Sequence, residues 1–193
     1  MKNGQVRNIK KDVLSDHWYT LQKISFEYER EDGTWEKQVR EVYDRGNGAA
    51  ILLYNKSKGT VILTKQFRMP TYLNGNPTGM MIEVCAGVLD GDHPEDCIRK
   101  EVEEETGYRV DEVQKVFESY MSPGSVSEIL HFFIGQYNEQ MKIGEGGGAA
   151  HETENIEILE YVFEDALSMI DQGAIKDAKT IMLLQYAKVN QLF

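Results

Sequence analysis

Glu101, Glu104 and Glu105 crowd a short stretch, EVEEETG, that the surrounding pattern predicts to be helical. On a helix, residues four apart stand one turn above each other, and a residue three apart stands beside them. Three carboxylates gathered in this way repel, so the helix gains no stability from them. What it gains is a set of oxygen ligands suited to a hard divalent cation. A solvated acidic face is the plain alternative, and such faces are common. The residues before the helix weigh against it. Cys85-Ala86-Gly87 closes an apolar run and feeds a tight acidic loop that leads into the helix. A strand end in that place can add a backbone carbonyl to the ligand set.

The helix that must carry these groups is predicted over residues 94–106. Pro94 suits its first turn, with Asp92 or His93 as the cap. Glu95 and Asp96 favour the positive end of the helix dipole. Cys97, Ile98 and Val102 make its apolar stripe, and Gly107 is placed to end it. The first 45 residues read as a β meander, with strands at 18–29 and 35–43 joined through the Asp32-Gly33 hairpin signal. Apolar runs at 49–54 and 60–67 form a second hairpin. A loop over 70–79 leads to a short strand at 80–85. Two more strands, 113–121 and 129–137, flank a Ser-Pro-Gly turn. A glycine-rich segment, 142–151, reads as a mobile loop. A strand at 156–162 and helices at 164–170 and 179–189 complete the chain. Strands, helix, strands, helices is the order of an α/β (α+β) chain with a mixed sheet, not of regular βαβ winding. The natural division is a meander at 1–45 and a second domain at 46–193. A meander this short buries little by itself, so it is expected to pack on the rest or on a second copy.

Composition narrows the partners. The chain has 193 residues and a formal net charge of -11, which repels nucleic-acid backbones and anionic lipid. Divalent cations would still let such a chain handle phosphates. Two cysteines, Cys85 and Cys97, make no disulfide framework and read as small buried hydrophobes. No apolar leader opens the chain and no window nears the length of a membrane span. A cytoplasmic protein is expected.

Gly87 followed by Lys100-Glu101-Val102-Glu103-Glu104-Glu105-Thr106-Gly107-Tyr108 resembles the signature of the Nudix hydrolases. The match departs in three places. Lys100 stands where that family has Arg. Asp92 or His93 stands where its first Glu is expected. The stretch from Gly87 to Glu101 is one residue short. The resemblance implies an α/β/α sandwich with a mixed sheet. It implies cleavage of a nucleoside diphosphate linked to another group, with magnesium, or manganese, held by Glu101, Glu105, Glu104 and the Ala86 carbonyl.

The stretches REVYDRGNGAAILLYN, KQFR, CAGVLD, YMSPGSVSEILHFF and KDAKT look like one branch, the bacterial GDP-mannose hydrolases, which are related to ADP-ribose pyrophosphatases. That likeness implies a nucleotide-sugar substrate and a homodimer in which the N-terminal strands help to build each site. Arg68 is placed to clamp a phosphate, and Lys179 to reach one. Trp18, with Tyr19, offers a face for base stacking. Arg40 and Glu41 could read base or sugar edges, although cross-strand pairing explains them too. Glu128 could contact the sugar or the attacking water. In this family a late loop supplies a carboxylate that binds metal or acts as general base. Glu154 is favoured for that role, Glu152 second. His131, in an apolar strand, reads as a packed histidine. The competing readings are an ADP-ribose pyrophosphatase, a broad nucleotide-sugar hydrolase, and a non-catalytic nucleotide-binding module.

Overall fold

The computed structural model describes residues 4–148 and 155–193. They divide into two compact units. The smaller holds the chain up to Asn47 together with Tyr120–Ile129, and the larger holds the rest. The segment 120–129 thus groups by its contacts with the N-terminal strands.

In the smaller unit β1 (Val6–Asp16), β2 (Thr20–Glu29) and β3 (Trp35–Asp44) form an antiparallel sheet in that order. β2 and β3 lie where alternation and the Asp32-Gly33 turn predict them. Gly33 takes φ 81°, and Asp32 Oδ1 accepts the Thr34 amide at 2.9 Å, which closes the turn. β1 carried no pattern to read: nearly all of it is exposed, and its register shifts twice, between Arg7 and Lys10 and between Val13 and Ser15. The 120–129 segment is stitched to the end of β3. The Tyr43 amide donates to the Ser125 carbonyl at 2.7 Å, and the Ser127 amide to the Tyr43 carbonyl at 3.1 Å.

The larger unit is built on β4 (Gly48–Asn55), whose unbroken apolar run is the pattern of a strand covered on both faces. All of it is buried. The remaining strands are β5 (Thr60–Phe67), β6 (Met80–Glu83), β7 (Cys85–Val88), β8 (Gln114–Tyr120), β9 (Ile129–Gln136) and β10 (Glu157–Val162). The helices are α1 (Met69–Leu73), α2 (Pro94–Glu101), α3 (Phe163–Asp171) and α4 (Ala178–Val189). The sheet is mixed, with main order β10-β5-β4-β9-β8, and β4 runs parallel to β9 and antiparallel to β5 and β7. Odd-numbered residues of β4 pack with Ile98 and Val102 below α2. On the other face Phe132 meets Phe117 at 4.5 Å, and Phe117 meets Tyr186 of α4 at 5.9 Å. Helices therefore cover both faces, the α/β/α layering expected.

β4 changes partners along its length. Leu53–Asn55 pairs with β5, whereas Gly48–Ile51 pairs with β7. β5 has turned away by then to pair with β6. The single strand expected at 80–85 is therefore two, broken at Val84. The Val84 amide leaves the ladder and donates to Thr180 Oγ1 of α4 at 2.8 Å. The loop expected at 70–79 begins instead with the short helix α1, which has Pro70 in its first turn.

Candidate active site

Near the opening where β5 and β7 part, Arg68, Glu83 and Lys179 bond to one another and Glu105 lies within electrostatic range of Arg68. α2 ends at Glu101 and continues as a π turn, Val102–Thr106, stopped by Gly107 in the left-handed region at φ 74°. Bonding from i to i+5 widens the turn, and such bulges are common at functional sites. The widening separates the three carboxylates: Glu105 is only 2% exposed, while Glu104 faces solvent. The expectation of one shared face is corrected to a buried Glu105, a half-buried Glu101 and a solvated Glu104.

Glu101 and Glu105 reach the strand end from two sides. A Cβ at Gly87 would overlap the Glu101 carboxylate, so only glycine lets that side chain lie on β7. Glu105 meets the Cys85 thiol. Burial pushes that thiol well above its usual value, and the charge and hydrogen bond of Glu105 push it further. Cys97 is pushed up to about 12 by burial and then by the charge of Glu101. Both cysteines are free, buried and protonated, which fits their reading as hydrophobes.

Among the described residues no three His, Cys, Asp or Glu side chains are already gathered to hold a metal ion. The donor set still fits a hard cation: two carboxylates, with Ala86 between the two strand residues they touch. The departures from the family signature also have a geometry. Lys100 Nζ and Asp92 Oδ2 stand 2.5 Å apart, so the two unusual positions pair with each other. His93 occupies the cap position of α2 without a side-chain capping bond.

The glycine-rich stretch is fastened where its first part is described. The Gly147 amide donates to the Glu105 carbonyl at 2.9 Å and Gly148 to Glu104 at 3.1 Å. Ile143 and Gly144 both donate to the Gly107 carbonyl. These bonds satisfy carbonyls that a helix end leaves open. A side chain at Gly146 would run into the Glu105 carbonyl, which explains the glycine there. Four amides of the segment expected to be mobile, those of Ile143, Gly144, Gly147 and Gly148, are thus bonded to the end of the helix. Glu152 and Glu154 lie outside the described residues.

Sequence reasoning missed Glu83, the last residue of β6. It is 3% exposed and binds both expected phosphate ligands. Arg68 forks onto it, Nε to Oε1 and Nη2 to Oε2, each at 2.9 Å. Lys179 Nζ reaches the same Oε2 at 2.6 Å and Asp177 Oδ1 at 2.9 Å. Burial alone would raise the Glu83 pKa. The Arg68 fork and the Lys179 charge overcome that and bring it down to about 2. A lone carboxylate inside the apolar run MMIEVCA was the available signal.

Trp18, Arg40, Glu41 and Glu128 lie in the smaller unit. Trp18 is 80% exposed, so it is no part of a core. Arg40 and Glu41 line a groove of about 580 Å3 with Tyr120, Pro123, Ser125 and Ser127. Arg40 donates to the Val39 carbonyl and to Gln38, while Glu41 stands opposite Lys23. Glu128 is buried, 3.5 Å from Arg45. In the larger unit, His131 stands 3.2 Å from Glu118, and burial pushes its pKa down, in keeping with a packed histidine.

The family model for the GDP-mannose pyrophosphatase NudK N-terminal domain matches residues 5–43, and that for the NUDIX domain matches residues 44–184. Over 188 residues the chain is 56% identical to a GDP-mannose pyrophosphatase of Yersinia enterocolitica, covering 97% of each chain. A protein of the same name from Pectobacterium atrosepticum is 56% identical over 96% of this chain and 95% of its own length. One from Yersinia pestis is 55% identical over 96% of this chain and 93% of its own.

Proposed function

The chain belongs to the Nudix hydrolase family, and on that footing we propose that it hydrolyses GDP-mannose to GMP and mannose 1-phosphate. The observation that carries the chemistry is the pair Glu101 and Glu105 closing on the Cys85-Ala86-Gly87 strand end. The charge of Glu105 also acts on Arg68 at the same opening.

Glu101, Glu105, Glu104 and the Ala86 carbonyl, with Glu154 from the late loop, are the groups that would hold magnesium, or manganese in its place. When bound, the cation offsets charge on the phosphoryl oxygens and lowers the pKa of the attacking water. Arg68 and Lys179 bind and orient the diphosphate. Glu154 takes the proton of the water as its oxygen bonds to phosphorus, with Glu152 next in order for that role and Glu128 after it. The anhydride P–O bond breaks, and its electron pair leaves with the departing phosphate. Trp18 stacks on the base, Arg40 and Glu41 read base or sugar edges, and Glu128 contacts the sugar.

The working form is a homodimer. Val6, Ile9, Val13, Leu14 and Val39 of the three-stranded sheet are each about half exposed, with Val13 and Val39 on opposite faces, apolar side chains that a second copy would cover in part. No helix of the described residues is long and apolar enough to cross a membrane. The acidic charge, which repels anionic lipid and nucleic-acid backbones, favours a cytoplasmic enzyme that binds neither membrane nor nucleic acid.

The test is turnover of GDP-mannose, GDP-glucose and ADP-ribose side by side with magnesium. GDP-mannose should be cleaved with the highest kcat/KM, and chelation should abolish turnover. Equal or faster cleavage of ADP-ribose would transfer the assignment to an ADP-ribose pyrophosphatase.

A further inference from the structure

Arg68 follows β5 and Lys179 opens α4, yet both donate to one atom, Oε2 of Glu83. Two cations held on one oxygen repel each other, and the carboxylate between them is what makes the placement tolerable. The side chain of Glu83 is 4% exposed and that of Lys179 is 14%. The Arg68 side chain is 41% exposed, so one side of the cluster stays open to a ligand. Each cation keeps donors in hand. Arg68 spends Nε and Nη2 on Glu83, and its Nη1 has no hydrogen bond among the described residues. Lys179 spends two of its three donors, on Glu83 and Asp177.

A second tier of bonds fixes the height of Lys179 over Glu83. Asp177 caps α4, its Oδ2 accepting from the Thr180 amide at 3.0 Å and from Thr180 Oγ1 at 2.6 Å. Thr180 is fully buried and its Oγ1 accepts the amide of Val84, the residue after Glu83. The helix start that carries Lys179 is thereby tied to the strand end that carries its partner. Glu83 and Asp177 together balance the two cations. The benefit to a bound anion then comes from donors fixed in direction more than from net attraction.

We propose that Glu83 is a positioning residue that holds Arg68 and Lys179 as a single two-cation clamp for the diphosphate of the substrate. The proposal rests on the functional reading above. It is tested with wild type, E83Q, R68A and the R68A/E83Q double variant, measuring kcat, KM and Tm on GDP-mannose. E83Q should raise KM at least tenfold while kcat changes less, and E83D, which keeps the charge, should recover part of that loss. In the R68A background E83Q should cost a clearly smaller factor, because half of what Glu83 positions is already gone. An equal factor in both backgrounds overturns the proposal. So does an E83Q enzyme with lowered Tm whose kcat and KM stay within twofold of wild type. Should E83Q not fold, E83D carries the same cycle, since its shorter side chain cannot reach both cations. If wild type fails to cleave GDP-mannose, the substrate reading falls instead. The cycle then runs on whichever nucleotide sugar is cleaved, and the same outcomes decide.

Discussion

β4 and β1 are both strands of eight residues or more, yet β4 is buried throughout and β1 is exposed along nearly its whole length. Around β4 the larger unit has spent its apolar surface internally, and its charged groups near Glu83 are locked into a few short bonds. Around β1 the smaller unit keeps apolar side chains in solvent and scatters its ion pairs over the surface. Position is what the first region offers, because groups for bond cleavage must stand still. The second region leaves apolar side chains such as Val13 and Val39 exposed on opposite faces of a thin sheet, the kind of surface a partner could cover.

This contrast can be broken at both ends. The largest effect is expected at Glu105. E105Q should lower kcat by about a thousandfold through loss of a cation ligand, read by steady-state turnover with magnesium. Unchanged turnover would remove Glu105 from the ligand set.

Next is the acid response of Glu83. Its folded pKa, about 2, lies below the usual 4.5. The ion cluster therefore contributes fully above pH 4.5 and loses its contribution as pH falls towards 2. The stability gap between wild type and E83Q should shrink by about 3 kcal/mol across that window, measured by urea unfolding at stepped pH. A gap independent of pH would mean that Glu83 is not held ionised by its partners.

For the smaller unit, V13D should raise the Kd of the dimer about a hundredfold if Val13 is covered by the second copy, since a charge would then be buried. Light scattering at micromolar concentration would follow it. A wild-type monomer there would refute the dimer. The smallest effect is expected at Arg30, 3.3 Å from Glu36 with both side chains about half exposed. R30A should cost less than about 1 kcal/mol in thermal unfolding. A larger loss would show that the exposed sheet is held by its ion pairs after all.

The sequence was readable where one residue's chemistry answers to its neighbours. Pro94, Gly107 and the stripe of Cys97, Ile98 and Val102 placed the helix, and the apolar run 49–54 placed the central strand. Glu101 and Glu105 stood out as an acidic pair with no structural excuse. The π turn could not be read, because no residue in VEEET dictates it; it arises where the helix end meets the backbone of 144–148. Nor could the break at Val84, which depends on a threonine 96 positions away. Glu83 was visible as an oddity, but its meaning needed Arg68 and Lys179, which only the folded chain brings together. β1 was silent because an exposed strand has no buried side to impose a period.

The amide that Val84 gives to Thr180 turns a gap in a sheet into a permanent seam. A strand that loses its neighbour usually leaves a row of open donors, prone to fray or to recruit a stray chain. Here a helix hydroxyl takes the neighbour's place, so the parted strands stay parted without loosening. Slow deuterium uptake at that one amide would then report whether α4 is seated, a local gauge of the whole opening that needs no substrate.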